Sequence, residues 1–129
     1  MRLLLDTHAL SWWLFGSRRL PHRVSQLIAG DAEKVFVSAV SAFELATKYR
    51  IGKWPEARPL VEGFDALVGA QDFEILPITV RHSLRAGLLA GDHRDPFDRL
   101  LAAQASLEGL DLVSVDHVFG NLGIVPLWE

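Results

Sequence analysis

Five carboxylates stand out by where they fall: Asp6, Glu44, Asp95, Asp98 and Asp116. Asp6 closes the run Leu3-Leu4-Leu5, and Asp116 closes Leu112-Val113-Ser114-Val115. Short apolar runs of this kind read as strands buried on both faces, as in a parallel sheet. An unpaired carboxylate interrupting such a strand costs several kcal/mol. If the sheet sets the first and fourth strands side by side, two carboxylates face each other and need a cation. Oxygen donors without a cysteine suit Mg²⁺ or Mn²⁺ rather than Zn²⁺. Ions held this way activate water and steady in-line displacement at a phosphodiester.

Each acid also has an ordinary local role. Asp6 or Thr7 fits the N-cap of a following helix. Ser41-Ala-Phe-Glu44 matches a capping box, and Glu44 stands one turn before Lys48. Asp95 precedes Pro96 as an N-cap, with Asp98 in the first turn where the helix dipole favours a negative charge. Asp116 suits a turn. His93 lies in the polar loop Gly91–Asp95 and reads as an exposed surface residue rather than a catalytic one.

The elements that must position these groups alternate along the chain. A helical pattern (Ala9, Leu10, Trp13, Leu14) follows the first strand, and a second helix is expected from Pro21 to about Ala29. Val35-Phe36-Val37 is a strand that hands over at Ser38 to a helix ending near Gly52. Leu60 to Val68 reads as a helix and Phe73 to Pro77 as the third strand. Val80, Leu84, Leu88 and Leu89 recur at helical spacing, and the helix begun at Pro96 runs towards Gly109. The fourth strand spans Leu112–Val115, and Ile124–Trp128 is expected to be a short last strand. Strands alternating with helices imply βαβ units and a mostly parallel sheet, with the following helices starting at the strands' carboxyl ends.

Bulk properties narrow the function classes. At 129 residues, half of them hydrophobic, the chain is expected to form one domain, residues 1–129, with its own core. A formal net charge of −3 excludes a globally basic nucleic-acid binder. Arg18, Arg19, Arg23, Lys48, Arg50, Lys53 and Arg58 nonetheless crowd the first half, where a local face can hold phosphates. Without cysteines there is no disulfide, thiolate zinc site or cysteine nucleophile. No apolar run is long enough for a signal peptide or a membrane span, so a soluble, cytoplasmic protein is expected.

Four segments together resemble the PIN-domain nucleases, and within them the VapC-type toxins of toxin–antitoxin pairs. They are Leu-Leu-Asp6-Thr-His-Ala-Leu, Val-Ser-Ala-Val-Ser-Ala-Phe-Glu44-Leu-Ala-Thr-Lys48, His93-Arg-Asp95-Pro-Phe-Asp98-Arg-Leu-Leu-Ala-Ala-Gln, and Leu-Val-Ser114-Val-Asp116-His-Val-Phe119. The resemblance implies an α/β PIN-like fold, a five-stranded parallel sheet in the order 3-2-1-4-5 flanked by helices. It implies an acidic quartet of Asp6, Glu44, Asp98 and Asp116 as catalytic and metal-ligating residues, with Asp95 a further candidate. Glu44 would act as ligand or as positioner of the attacking water, and Thr7 and Ser114 would support the ligands. The implied protein is a Mg²⁺-dependent endoribonuclease, with Mn²⁺ as the substitute ion. It would act as a toxin on RNA, be covered at its site by a small antitoxin, and form a homodimer. Arg99, Lys48 and Lys53 are candidates for RNA phosphates, and Trp12, Trp13 and Phe15 for a partner groove. Two departures are Ser114, where the family has Thr, and Phe43, where it has Trp.

Two rival classes share parts of this pattern. A receiver-type phosphotransfer domain wants a lysine near the last strand, which is absent, and a phosphatase wants an aspartate where His8 stands. A catalytically inactive PIN-like module binding RNA or protein is the alternative within the same fold, disfavoured by the presence of all four acids.

Overall fold

The computed structural model describes residues 1–129. Its elements run β1 (Arg2–Leu5), α1 (Thr7–Leu14), α2 (His22–Gln26), β2 (Lys34–Ser38), α3 (Ala39–Arg50), α4 (Arg58–Glu62), α5 (Phe64–Gly69), β3 (Glu74–Leu76), α6 (Val80–Leu88), α7 (Pro96–Glu108) and β4 (Asp111–Val113). A π-helical turn (Leu27–Asp31) and 3₁₀ turns (Pro55–Ala57, His117–Leu122) fill three of the connections. No helix is long and apolar enough to cross a membrane.

All strands pair in parallel, in the order β3-β2-β1-β4. Central β1 sets Leu4 beside both Phe36 and Leu112. Leu3, Leu4 and Leu5 are fully buried, as a strand covered on both faces requires. Leu3 and Leu5 join a core with Leu10, Val24, Leu45 and Leu60, while Leu4 points the other way to Phe36, Leu101 and Phe119. The period-2 alternation thus divides one leucine run between two cores. Each buried leucine contributes roughly 1.5–3 kcal/mol.

The expected fifth strand is not formed, and the sheet has four strands. Its remnant is a single parallel bridge from Leu127 to Val113. Leu127 N–H donates to Leu112 O at 2.7 Å and Ser114 N–H to Leu127 O at 3.2 Å. Pro126 has no N–H to extend this pairing towards Ile124. Two helices also differ from expectation. The Leu60–Val68 pattern divides at Gly63 into α4 and α5, and the one begun at Pro21 stops at Gln26 before the π turn. The other strands and helices fall within a few residues of their expected bounds.

Candidate active site

Parallel strands bring their carboxyl ends, and the starts of the helices that follow, to one edge of the sheet. Asp6 is the first residue past β1, and its N–H donates to Val113 O of β4 at 3.0 Å. Its carboxylate also caps α1, accepting from Ala9 N–H at 2.8 Å. The cap and the site are therefore one residue in two roles. Asp6 is 7% exposed. Burial pushes its carboxyl up from 3.8 to about 6, and the nearby charges of Glu44 and Asp98 push the same way. Hydrogen bonds from Ser114 and the Ala9 N–H oppose the rise.

Glu44 enters from α3, buried at 4% exposure. Its two oxygens are held apart: the Thr7 hydroxyl bonds Oε1, and Lys48 Nζ lies 2.6 Å from Oε2. The i,i+4 pairing with Lys48 is thus real, but the capping box is not. Ser38 caps α3 through Val40 N–H, and Ser41 turns instead to Thr7, 3.0 Å away. Helix α7 supplies two more acids. Asp95 caps it, accepting from Phe97 N–H at 2.9 Å and Asp98 N–H at 3.4 Å. Asp98 is half-buried and pairs with His93 Nε2 at 2.8 Å. Burial, foremost, raises its carboxyl above the ordinary range against the lowering effect of His93.

Asp116 departs from the strand-end expectation. β4 stops at Val113, so Asp116 lies on the loop beyond, exposed, and accepts from Val118 N–H at 3.0 Å to start the 3₁₀ turn. Ser114 Oγ accepts the Asp116 N–H at 3.0 Å and so ties the loop to Asp6.

Asp6, Glu44, Asp95, Asp98 and Asp116 all line one cleft of about 430 Å³, with Leu101 and Val115 among its walls. As the side chains lie, no three acids or histidines form a metal-ligating group. Asp98 is turned to His93, Asp116 to a backbone N–H, and Glu44 to Thr7 and Lys48. The chemistry of the donors still fits a hard divalent ion. They are oxygen donors only, and one of the two buried ones, Asp6, is a desolvated carboxylate with neutral partners and two further carboxylates nearby.

Two readings from the sequence need revision. His93 is not a free surface residue but the partner of Asp98. Arg99 does not reach for phosphate. Its guanidinium donates to the backbone oxygens of Ala86 (2.8 Å), His93 (2.9 Å), Gly87 (3.4 Å) and Leu89. Of the aromatic trio, only Trp12 lines the cleft; Trp13 donates Nε1–H to Gln71 Oε1 at 3.0 Å and packs on Phe73, and Phe15 is exposed elsewhere. The sequence reading also missed Trp54, whose indole stacks on His8 at 4.8 Å and 18°. Burial and the neighbouring Lys48 lower the imidazole of His8 below its ordinary range. The i,i+4 spacing of His8 and Trp12 was visible, but nothing local pointed to a partner 46 residues away.

A parallel sheet with carboxylates gathered beyond its strand ends defines the class, an α/β protein with an acidic cleft. The family model of the PIN domain matches residues 3–125, and the chain belongs to that family. No curated protein sequence matches it. Solved structures with the same fold include VapBC2 from Rickettsia felis bound to a DNA fragment from its promoter, at 18% identity, TM-score 0.72 and full coverage of both chains. FitAcB from Neisseria gonorrhoeae aligns at 21% identity and TM-score 0.66 over 97% of this chain and 96% of that one. Mycobacterium tuberculosis VapC20, described as a Sarcin-Ricin loop cleaving toxin, aligns at 18% identity and TM-score 0.60 over 98% and 99%.

Proposed function

We propose that the chain is a Mg²⁺-dependent endoribonuclease acting in the cytoplasm as the toxin of a toxin–antitoxin pair. The observation that carries the reading is the convergence of five carboxylates on one cleft, with Asp6 buried among them. The likeness in fold to proteins described as a Sarcin-Ricin loop cleaving toxin and as a toxin–antitoxin complex supports it.

In this reading Asp6, Asp98 and Asp116 would hold Mg²⁺ or Mn²⁺, with Glu44 as a further ligand or the acceptor of the attacking water's proton. When bound, the ion supplies an activated water and neutralises charge developing at the phosphodiester. The chain's own residues set the stage for that. Thr7 and Lys48 fix the two oxygens of Glu44, and Ser114 holds the buried Asp6. His93 keeps Asp98 near the cleft mouth and would yield it to the cation. Asp95 stays engaged in capping α7 and is assigned no ligand role.

A small antitoxin would cover this cleft. The homodimer is assigned to α6, which buries only His82 and Ala86 and leaves Val80, Leu84 and Leu88 exposed at 75%, 62% and 82%. Three large apolar side chains along one face suit a self-complementary contact.

Purified protein incubated with RNA and Mg²⁺ should cut it, with cleavage abolished by EDTA and by Asp6→Asn or Asp116→Asn in folded protein. Cutting at the parent's rate in excess EDTA would remove the metal from the mechanism. Binding of RNA without cutting under any ion would favour the inactive-module alternative.

A further inference from the structure

The acidic cleft does not end at the carboxylates. It opens into a second groove of about 600 Å³, and His8, Trp12, Arg19 and Lys48 line both. The second groove adds Trp54 and Lys53. Its character is the reverse of the first: aromatic rings and cations, with Glu56 as its one carboxylate.

We propose that this groove seats the base and phosphate of the RNA nucleotide flanking the one cut in the acidic cleft, an inference that rests on the nuclease reading above. Three observations carry it. The first is continuity, since a strand with its scissile phosphate over Asp6 must leave the cleft along residues shared with the groove. The second is the aromatic stage. His8 stacks on Trp54, and Trp12 meets His8 at 5.7 Å and 53° and Trp128 at 5.7 Å and 59°, so a cluster of rings with both indoles partly buried forms one wall of the groove. Stacking on such surfaces accepts any base, so this seat adds affinity without reading sequence.

The third observation is charge. Lys48 is neutralised by Glu44, but neither Arg19 nor Lys53 has a carboxylate within ion-pair distance. The Arg19 guanidinium sits over the Trp12 ring, 5.5 Å from its centre, where it can face a phosphate while Trp54 carries the base. Unneutralised cations beside aromatic rings favour an anionic, stackable ligand. They disfavour a basic peptide as the occupant.

The test reads binding in the Asp6→Asn background, where RNA is not consumed, by fluorescence anisotropy of a labelled oligouridylate of roughly 8 nucleotides. A phosphodiester of equal length without bases is the comparison. Trp54→Ala should weaken the oligouridylate about tenfold and leave the abasic oligomer unchanged, while Trp54→Phe should restore most of the loss. Lys53→Ala, at an exposed position that should not disturb folding, should weaken both oligomers alike and reduce the salt dependence of binding. If Trp54→Ala binds the oligouridylate as the parent does while wild-type protein cuts RNA, the seat is refuted and the nuclease reading stands. A protein that neither binds nor cuts RNA would overturn both readings together.

Discussion

Asp6 and Asp116 look equivalent in the sequence and behave differently in the fold. Asp6 is buried with its carboxyl raised to about 6, whereas Asp116 is exposed and caps a turn. A carboxyl whose native value lies above its unfolded one binds more protons when folded. Its stabilising effect is complete below about pH 4 and is lost as pH rises through about 6. Over that window the metal-free protein should lose on the order of 2–3 kcal/mol from this group. Asp6→Asn has no such proton to lose, so the gap between its melting temperature and the parent's should grow in the variant's favour from pH 4 to 7 in EDTA. Added Mg²⁺ should stabilise the parent and not the variant. A gap that stays constant across that range would refute the assignment of Asp6 as the strained acid. Asp116→Asn should melt close to the parent in EDTA at every pH, because Asn also serves as an N-cap.

Among the elements, the α6–α7 connection shows why a charged residue near an acidic cleft need not touch substrate. Helix α6 ends at Leu88, and the loop that follows carries His93 to Asp98 and Asp95 to the start of α7. Arg99, on the first turns of α7, binds carbonyls of the last turn of α6 and of that loop. A planar, multiply donating guanidinium is suited to this task, and an ammonium is not. Arg99→Ala should therefore cost on the order of 2–3 kcal/mol, roughly 6–12 °C in melting temperature for a domain of this size. Arg99→Lys should recover little of it. A variant that melted like the parent but bound RNA weakly would return Arg99 to the phosphate contacts.

At the scale of the whole molecule, a helix with its apolar stripe facing outward implies a partner face. α6 is held to α7 by polar links instead: His82 Nε2 to Glu108 Oε2 at 2.9 Å, and Arg85 Nη1 to Ser106 Oγ at 3.4 Å. If Val80, Leu84 and Leu88 meet their equivalents in a second copy, Leu84→Glu should convert a dimer to a monomer without unfolding it. Sedimentation and melting curves recorded together would decide. A dimer that survives Leu84→Glu places its interface elsewhere.

The sequence by itself determined the α/β class, the parallel sheet, the acidic residues and most helix starts. Those features are local or periodic. Three leucines can be buried on both faces only in a covered sheet, and Asp95 before Pro96 caps a helix whatever surrounds it. Even the adjacency of the first and fourth strands, on which the acid argument turned, came from family resemblance rather than from the pattern. Tertiary structure alone decided which acids are buried, how the fourth strand ends, and that Pro126 limits the last segment to one bridge. It also decided that His93 turns to Asp98, Arg99 to carbonyls and Trp54 to His8. These outcomes depend on how loops close over the sheet edge. A polar side chain in a loop has the same local signature whether it meets water, a carbonyl or a carboxylate, and only the packed chain distinguishes them.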